Sequence, residues 1–200
     1  MRWLFSLGAL LGALVWALAS PAGAASFTYD VTLSPEVVGA TGSGTATVVY
    51  NDVLHSLSIT TDWTGLSGVT TVAHIHCCVA TPGAGTVQVA VTPGTLPGFP
   101  VGVQSGSYTT VPILDLALNG TYTAGFLTVG GGTAAGAEAA LFAGMNSGTA
   151  YLNIHSDLYP AGEIRGFLAL VPEPGTSILL LGTGALLAFA RRRSAGRSAQ

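Results

Sequence analysis

Over Phe27-Thr28-Tyr29-Asp30-Val31-Thr32-Leu33 the larger apolar side chains alternate strictly with polar ones. A period of two sends successive residues to opposite faces of an extended chain, so this stretch suits a strand with one face buried. Comparable segments follow at 45–50, 54–60, 69–78, 86–91, 107–111, 113–118, 149–155 and 163–170. Turn signals separate them: Asn51-Asp52, Thr81-Pro82-Gly83-Ala84-Gly85, Asn119-Gly120 and Tyr159-Pro160-Ala161-Gly162. Residues 92–106, rich in Pro and Gly, are expected to form a long surface loop, and 122–129 carries mixed signals. The segment 134–145 is Ala-rich, with Leu141 and Met145 four apart and Gly144 and Gly148 near its end, and reads as the one good helix. Short strands at close intervals with a single helix predict an all-β fold, an antiparallel sandwich or barrel.

The chain between its ends has no Lys, and Arg165 is its one cation, against Asp30, Glu36, Asp52, Asp62, Asp115, Glu138, Asp157 and Glu163. Eight carboxylates against one guanidinium leave residues 26–170 a net charge of about −7 with neutral histidines. Such a body repels nucleic acid, whose binding needs Lys and Arg to displace counterions, whereas cations and neutral glycans remain compatible with it. About 145 residues suffice for one domain with a real core.

Both ends read as addresses. Residues 1–25 combine Arg2, an apolar run over 3–19 and Ser20-Pro21-Ala22-Gly23-Ala24-Ala25, as a secretory signal peptide with a signal peptidase site does; an uncleaved anchor is the competing reading. Residues 171–200 carry Pro172-Glu173-Pro174, an apolar stretch over 176–190 and Arg191-Arg192-Arg193 at the head of a basic tail, 191–200. As a helix the fifteen apolar residues would span ~22 Å, short of a ~30 Å hydrocarbon core unless the arginines snorkel, and the arginines place the tail end in the cytoplasm. This order of motif, short transmembrane helix and arginine cluster resembles the PEP-CTERM sorting signal of bacteria that make exopolysaccharide. The resemblance implies an inner-membrane intermediate cut by an exosortase near the Pro-Glu-Pro motif, then release to the cell surface or extracellular matrix. A plain single-pass anchor would also leave the body outside the cytoplasm.

Chemistry concentrates in His74-Ile75-His76-Cys77-Cys78, which holds two of the four histidines and both cysteines of the chain. Strand alternation puts His74 and His76 on one face, Asn153 and His155 on one face, and Glu163 and Arg165 on one face. If the two segments pair, three imidazoles, a carboxylate and a guanidinium converge. In one reading His74, His76 and His155 bind Zn²⁺ or Cu²⁺, with Glu163 or Asp157 as orienting partner or fourth ligand. In the other the rings hydrogen-bond to Glu163, Asn153 and backbone, and Arg165 pairs with Glu163 or Asp157. His55, beside the Asn51-Asp52 turn, is expected to be exposed rather than a ligand.

Ala73-His74-Ile75-His76, the later Ala150-Tyr151-Leu152-Asn153-Ile154-His155-Ser156 and Pro160-Ala161-Gly162-Glu163-Ile164-Arg165-Gly166 together resemble the CHRD domain, from about residue 27 to 170. The family commonly has Gly after the second His, where this chain has Cys77-Cys78. The resemblance implies a Greek-key β-sandwich like that of copper/zinc superoxide dismutase, without a defined activity. Dismutase chemistry itself is not expected, because its dinuclear site uses six histidines and this chain has four.

In an oxidising exterior Cys77 and Cys78 suit a vicinal disulfide, although strand geometry points neighbouring side chains apart; metal ligation beside His76 and pairing between molecules are the other readings. No Gly-x-Ser-x-Gly elbow or phosphate-cradling loop is present. The expectation is a non-enzymatic exported β domain of 26–170, handled by signal peptidase and exosortase, with exopolysaccharide or other surface proteins as partners. A metal-binding domain, with a metal-dependent activity less expected, is the alternative.

Overall fold

The computed structural model describes residues 25–172. The expected signal peptide, but for Ala25, and the sorting tail beyond Pro172, with its expected transmembrane helix and the arginines Arg191, Arg192 and Arg193, lie outside that range.

The chain is mostly β, its strands forming a ten-stranded antiparallel sheet that curls. The first strand, β1 (Ser26–Pro35), realises the alternation that opens the body: Tyr29, Val31 and Leu33 are buried while Asp30, Thr32 and Ser34 are exposed. Its antiparallel partner β2 (Ser43–Asn51) and the next strand β3 (Ser56–Thr64), which pairs with β2, repeat the pattern. The turn between them is longer than the two residues Asn51-Asp52 suggest. Asn51 Oδ1 accepts from the amides of Val53 and Leu54, and His55 closes the turn at φ 48°, so residues 54 and 55 leave the strand.

After β3 come β4 (Thr70–His76), a short β5 (Val89–Val91), β6 (Gly106–Thr109) and β7 (Leu114–Asp115). A six-residue helix, α1 (Ala124–Val129), occupies the segment of mixed signals; the Thr123 hydroxyl caps it by accepting from the Phe126 amide, and Phe126 is buried. The expected helix is α2 (Ala134–Asn146), capped by Thr133. The strands β8 (Tyr151–Ser156), β9 (Ile164–Phe167) and β10 (Ala169–Leu170) complete the chain.

The curl comes from β1. Its first half, at Tyr29 and Asp30, pairs with β10, and its last residues, Ser34 and Pro35, pair with β9. One long strand thus joins β2, β3, β6 and β7 on one side to β9, β8, β4 and β5 on the other. Close approach at the junction needs a glycine, because a Cβ on Gly166 would run into the Thr32 carbonyl. Helix α2 lies against the inner faces of β1 and β2. Phe142 packs on Phe27 and Tyr50 with centroids 4.7 and 4.9 Å apart, and the Tyr29 hydroxyl donates to Asn146 Oδ1 at 2.8 Å. The core continues through Leu57, Ile59, Ile75, Leu152, Ile154 and Ile164. Among the described residues no helix is long and apolar enough to cross a membrane.

Candidate metal centre

Strands β4 and β8 are antiparallel neighbours, with His74 opposite Asn153, His76 opposite Tyr151 and Val72 opposite His155; β9 continues the sheet, with Arg165 opposite Asn153. Ile75, Leu152, Ile154 and Ile164 face the core, which turns His74, His76, Asn153, His155 and Arg165 to the other face. That second face is also covered, and every residue of β8 is buried. The cover consists of connections rather than regular structure: residues 77–88, 92–105 and 157–163 reach the site.

Each connection supplies one backbone carbonyl to one ring. His74 Nε2 donates to the Gly94 carbonyl at 2.8 Å, His76 Nδ1 to the Val87 carbonyl at 2.8 Å and His155 Nδ1 to the Pro160 carbonyl at 2.9 Å. A carbonyl can only accept, so these bonds fix the neutral tautomers and leave lone pairs on His74 Nδ1, His76 Nε2 and His155 Nε2. All three of those nitrogens are buried without a hydrogen-bond partner among the described residues. One ring nitrogen from each histidine lies within 4.8 Å of the others. His74 stands edge-on to His76 and His155, with centroids 5.6 and 4.9 Å apart, and Tyr151 stacks on His76 at 4.7 Å.

The electrostatics favour neutral rings. Loss of solvent pulls the His74 imidazolium down to about 4, against a partial restoring effect of its bond to the Gly94 carbonyl, and the other two imidazoles lower it further. His76 is lowered by the same burial, opposed by its bond to the Val87 carbonyl. Near neutral pH these two rings therefore offer lone pairs rather than protons.

The acidic residues expected to orient the rings stand elsewhere. Glu163 accepts from the backbone amides of Ser67 and Gly68, and Asp157 Oδ1 accepts from the Val69 amide at 2.8 Å. Both hold the entry to β4, and neither pairs with Arg165. The partner of Arg165 is Glu36, at 3.1 Å, and Glu36 also accepts from Asn153 Nδ2 at 2.6 Å. Sequence reasoning missed Glu36, because it lies in the turn after β1 and reaches the site only once β1 pairs with β9.

Cys77 and Cys78 are joined as a vicinal disulfide just beyond β4, and the peptide between them is cis. The pair rests on α2 at Gly144, where a Cβ would collide with both sulfurs. Gly144 therefore seats the disulfide, while α2 stops two residues later, before the positive φ of Gly148. The sulfurs stay out of the histidine cluster. His55, exposed as expected, donates from Nδ1 to the buried Glu138 carboxylate, to which Tyr50 also donates.

No curated protein and no solved structure matches the chain. The sequence model of the PEP-CTERM protein-sorting motif matches residues 170–194, which implies export through a membrane-anchored intermediate and processing by an exosortase. The sequence model of the CHRD domain matches residues 23–168, every strand of the sheet but β10 and both strands of the histidine cluster, so this chain belongs to the CHRD domain family.

Proposed function

We propose that the protein is a non-enzymatic, exported domain that holds one borderline transition-metal ion, Zn²⁺ or Cu²⁺, on His74, His76 and His155, and that is displayed at the cell surface or in the extracellular matrix. The observation that carries the metal is the set of three buried lone pairs with no donor among the described residues. Three acceptors facing one another need a common electrophile. A water molecule has two hydrogens and cannot serve all three, whereas a cation can. The donor set suits Zn²⁺ or Cu²⁺ rather than Ca²⁺ or Mg²⁺, which prefer oxygen. Bonds from each distal N–H to a carbonyl are the usual outer support of metal-bound histidine.

The distances are compatible with that reading. Nitrogens bound at ~2.05 Å around a tetrahedral ion sit ~3.4 Å apart. A cluster already within 4.8 Å closes by at most ~1.4 Å, within reach of small ring rotations. Burial of all three rings, at 6–7% exposure, supports a structural ion over a catalytic one, which would keep an open coordination position. The sharing of β1 between two groups of strands supports a sandwich related to the superoxide dismutase Greek key.

The test is equilibrium dialysis of the full chain in detergent against Zn²⁺ or Cu²⁺, with metal analysis of the protein. One equivalent is expected for wild type, and none for His76→Ala at matched concentration. Retention of the equivalent by His76→Ala, or no uptake by a folded wild type, would sink the site.

A further inference from the structure

A second feature of the same sheet is unused by the metal. Where β9 meets β1, a polar cleft of about 280 Å³ is lined by Thr32, Ser34, Glu36, Gly83, Arg165 and Phe167, among others. Arg165, the only cation between the two ends of the chain, projects into it from β9 beside Ser34, its cross-strand neighbour on β1.

The guanidinium is held from several directions. Its carbon lies 5.2 Å from the centroid of the Tyr151 ring and 5.6 Å from that of Phe167. Its Nη1 donates to Glu36 at 3.1 Å and to the Gly85 carbonyl at 2.8 Å. Five N–H donors are available to an arginine, and among the described residues Nη2 and Nε have no hydrogen-bond partner. Glu36 is fixed in turn by Arg165 and Asn153, each on a different carboxylate oxygen, so each oxygen keeps a lone pair. The cleft thus presents a preoriented donor edge, a preoriented acceptor, two exposed hydroxyls at Thr32 and Ser34, and the half-buried ring of Phe167.

We infer that this cleft binds one neutral sugar ring of a glycan, with paired hydroxyls bridging Arg165 and Glu36 and the C–H face of the ring resting on Phe167. Adjacent hydroxyls each donate and accept, which matches a guanidinium beside a carboxylate. Charge decides against an acidic ligand. Arg165 and Glu36 cancel locally, and the surrounding body carries a net charge of about −7, so an anion would meet repulsion without a spare cation to offset it. The volume is near the lower limit of small-molecule sites, ~300 Å³, and suits one ring better than several.

The inference is independent of the metal centre, since none of the three histidines lines the cleft. It is tested by saturation-transfer NMR on the full chain in detergent. The probes are methyl glycosides of glucose, galactose and mannose, with glucuronate and sulfate as charged controls. At least one neutral glycoside is expected to bind with Kd on the order of 1 mM, insensitive to added salt. Ser34→Trp fills the cleft from an exposed strand position while leaving the Arg165–Glu36 pair intact, and should abolish the signal with an unchanged melting temperature. Arg165→Gln should weaken binding at least about tenfold. Absence of binding by all three glycosides, full binding by Ser34→Trp, or glucuronate or sulfate binding tighter than every neutral probe would overturn the assignment.

Discussion

At the scale of single residues, the histidine cluster shows how backbone carbonyls can hold three buried imidazoles in fixed tautomers without a carboxylate. Each ring spends its N–H on a loop carbonyl, which determines where its lone pair points. The cost appears in acid. With pKa values depressed on folding, His74 and His76 resist protonation in the folded chain, while in the unfolded chain they take up protons below about 6.5. The unfolded state therefore binds more protons as pH falls, and metal-free protein loses stability from pH ~6.5 down toward ~4, where His74 itself titrates. His74 contributes a slope of up to ~1.4 kcal/mol per pH unit in that window, and His76 acts in the same direction. Denaturant titrations of metal-free wild type and His74→Gln between pH 7 and 4 measure it. The variant should show a shallower loss; equal slopes would refute the assignment. That His74 and His76 share a face, as do Asn153 and His155, was legible in the sequence from strand parity; the pairing of the two strands comes from the β4–β8 ladder. The carbonyl partners of the rings were not legible, because Gly94, Val87 and Pro160 lie in connections whose path no periodicity encodes.

At the scale of elements, the existence of most strands was readable and their ends were not: the strand read at 149–155 runs Tyr151–Ser156, and the one read at 54–60 runs Ser56–Thr64. The alternation of β1, β2 and β3 follows their burial residue by residue. The valine alternation over 86–91 predicted a strand of six residues, but only Val89–Val91 pairs, and the Val87 carbonyl accepts from His76 instead. Helix α1 was missed, since six residues with one buried Phe126 offer too little periodicity to register. Gly144 shows a different limit. Read as a helix stop, it proves to be a seat for two sulfur atoms contributed from sixty-odd residues earlier. This yields a test with opposing terms. Gly144→Ala should gain up to ~1 kcal/mol in helix propensity. The added Cβ must also displace the disulfide, an overpacking cost of ~1–3 kcal/mol. The net expectation is destabilisation in oxidising buffer, partly relieved when a reductant separates the sulfurs. Chemical denaturation with and without reductant reads both terms, and a variant more stable than wild type would contradict the packing.

At the scale of the whole molecule, the addresses at the ends and the sheet between them answer to different physics. The body is specified by side-chain alternation, which survives inspection of the sequence alone; its curl depends on β1 pairing with both β10 and β9, a choice made by tertiary contact. The sorting motif acts as a signal read by other proteins. Deleting residues 172–200 should leave the sheet intact, because Val171, which bonds to the Thr28 carbonyl, is retained. It should move the protein from the membrane fraction to the soluble exported fraction. Membrane fractionation of cells expressing the truncated chain checks this, and unchanged membrane retention would reject the tail as the anchor.

The pairing of β10 with the first half of β1 also sets where the Arg165 cleft lies relative to residues 25 and 171. Ala25 is bonded to Asp52 and Val171 to Thr28, so the chain enters and leaves the sheet at the same end of β1. Ser34 lies five residues further along that strand than Tyr29, about 17 Å away at ~3.3 Å per residue. The Arg165 cleft therefore lies toward the end of β1 opposite to the one where residues 25 and 171 leave the sheet.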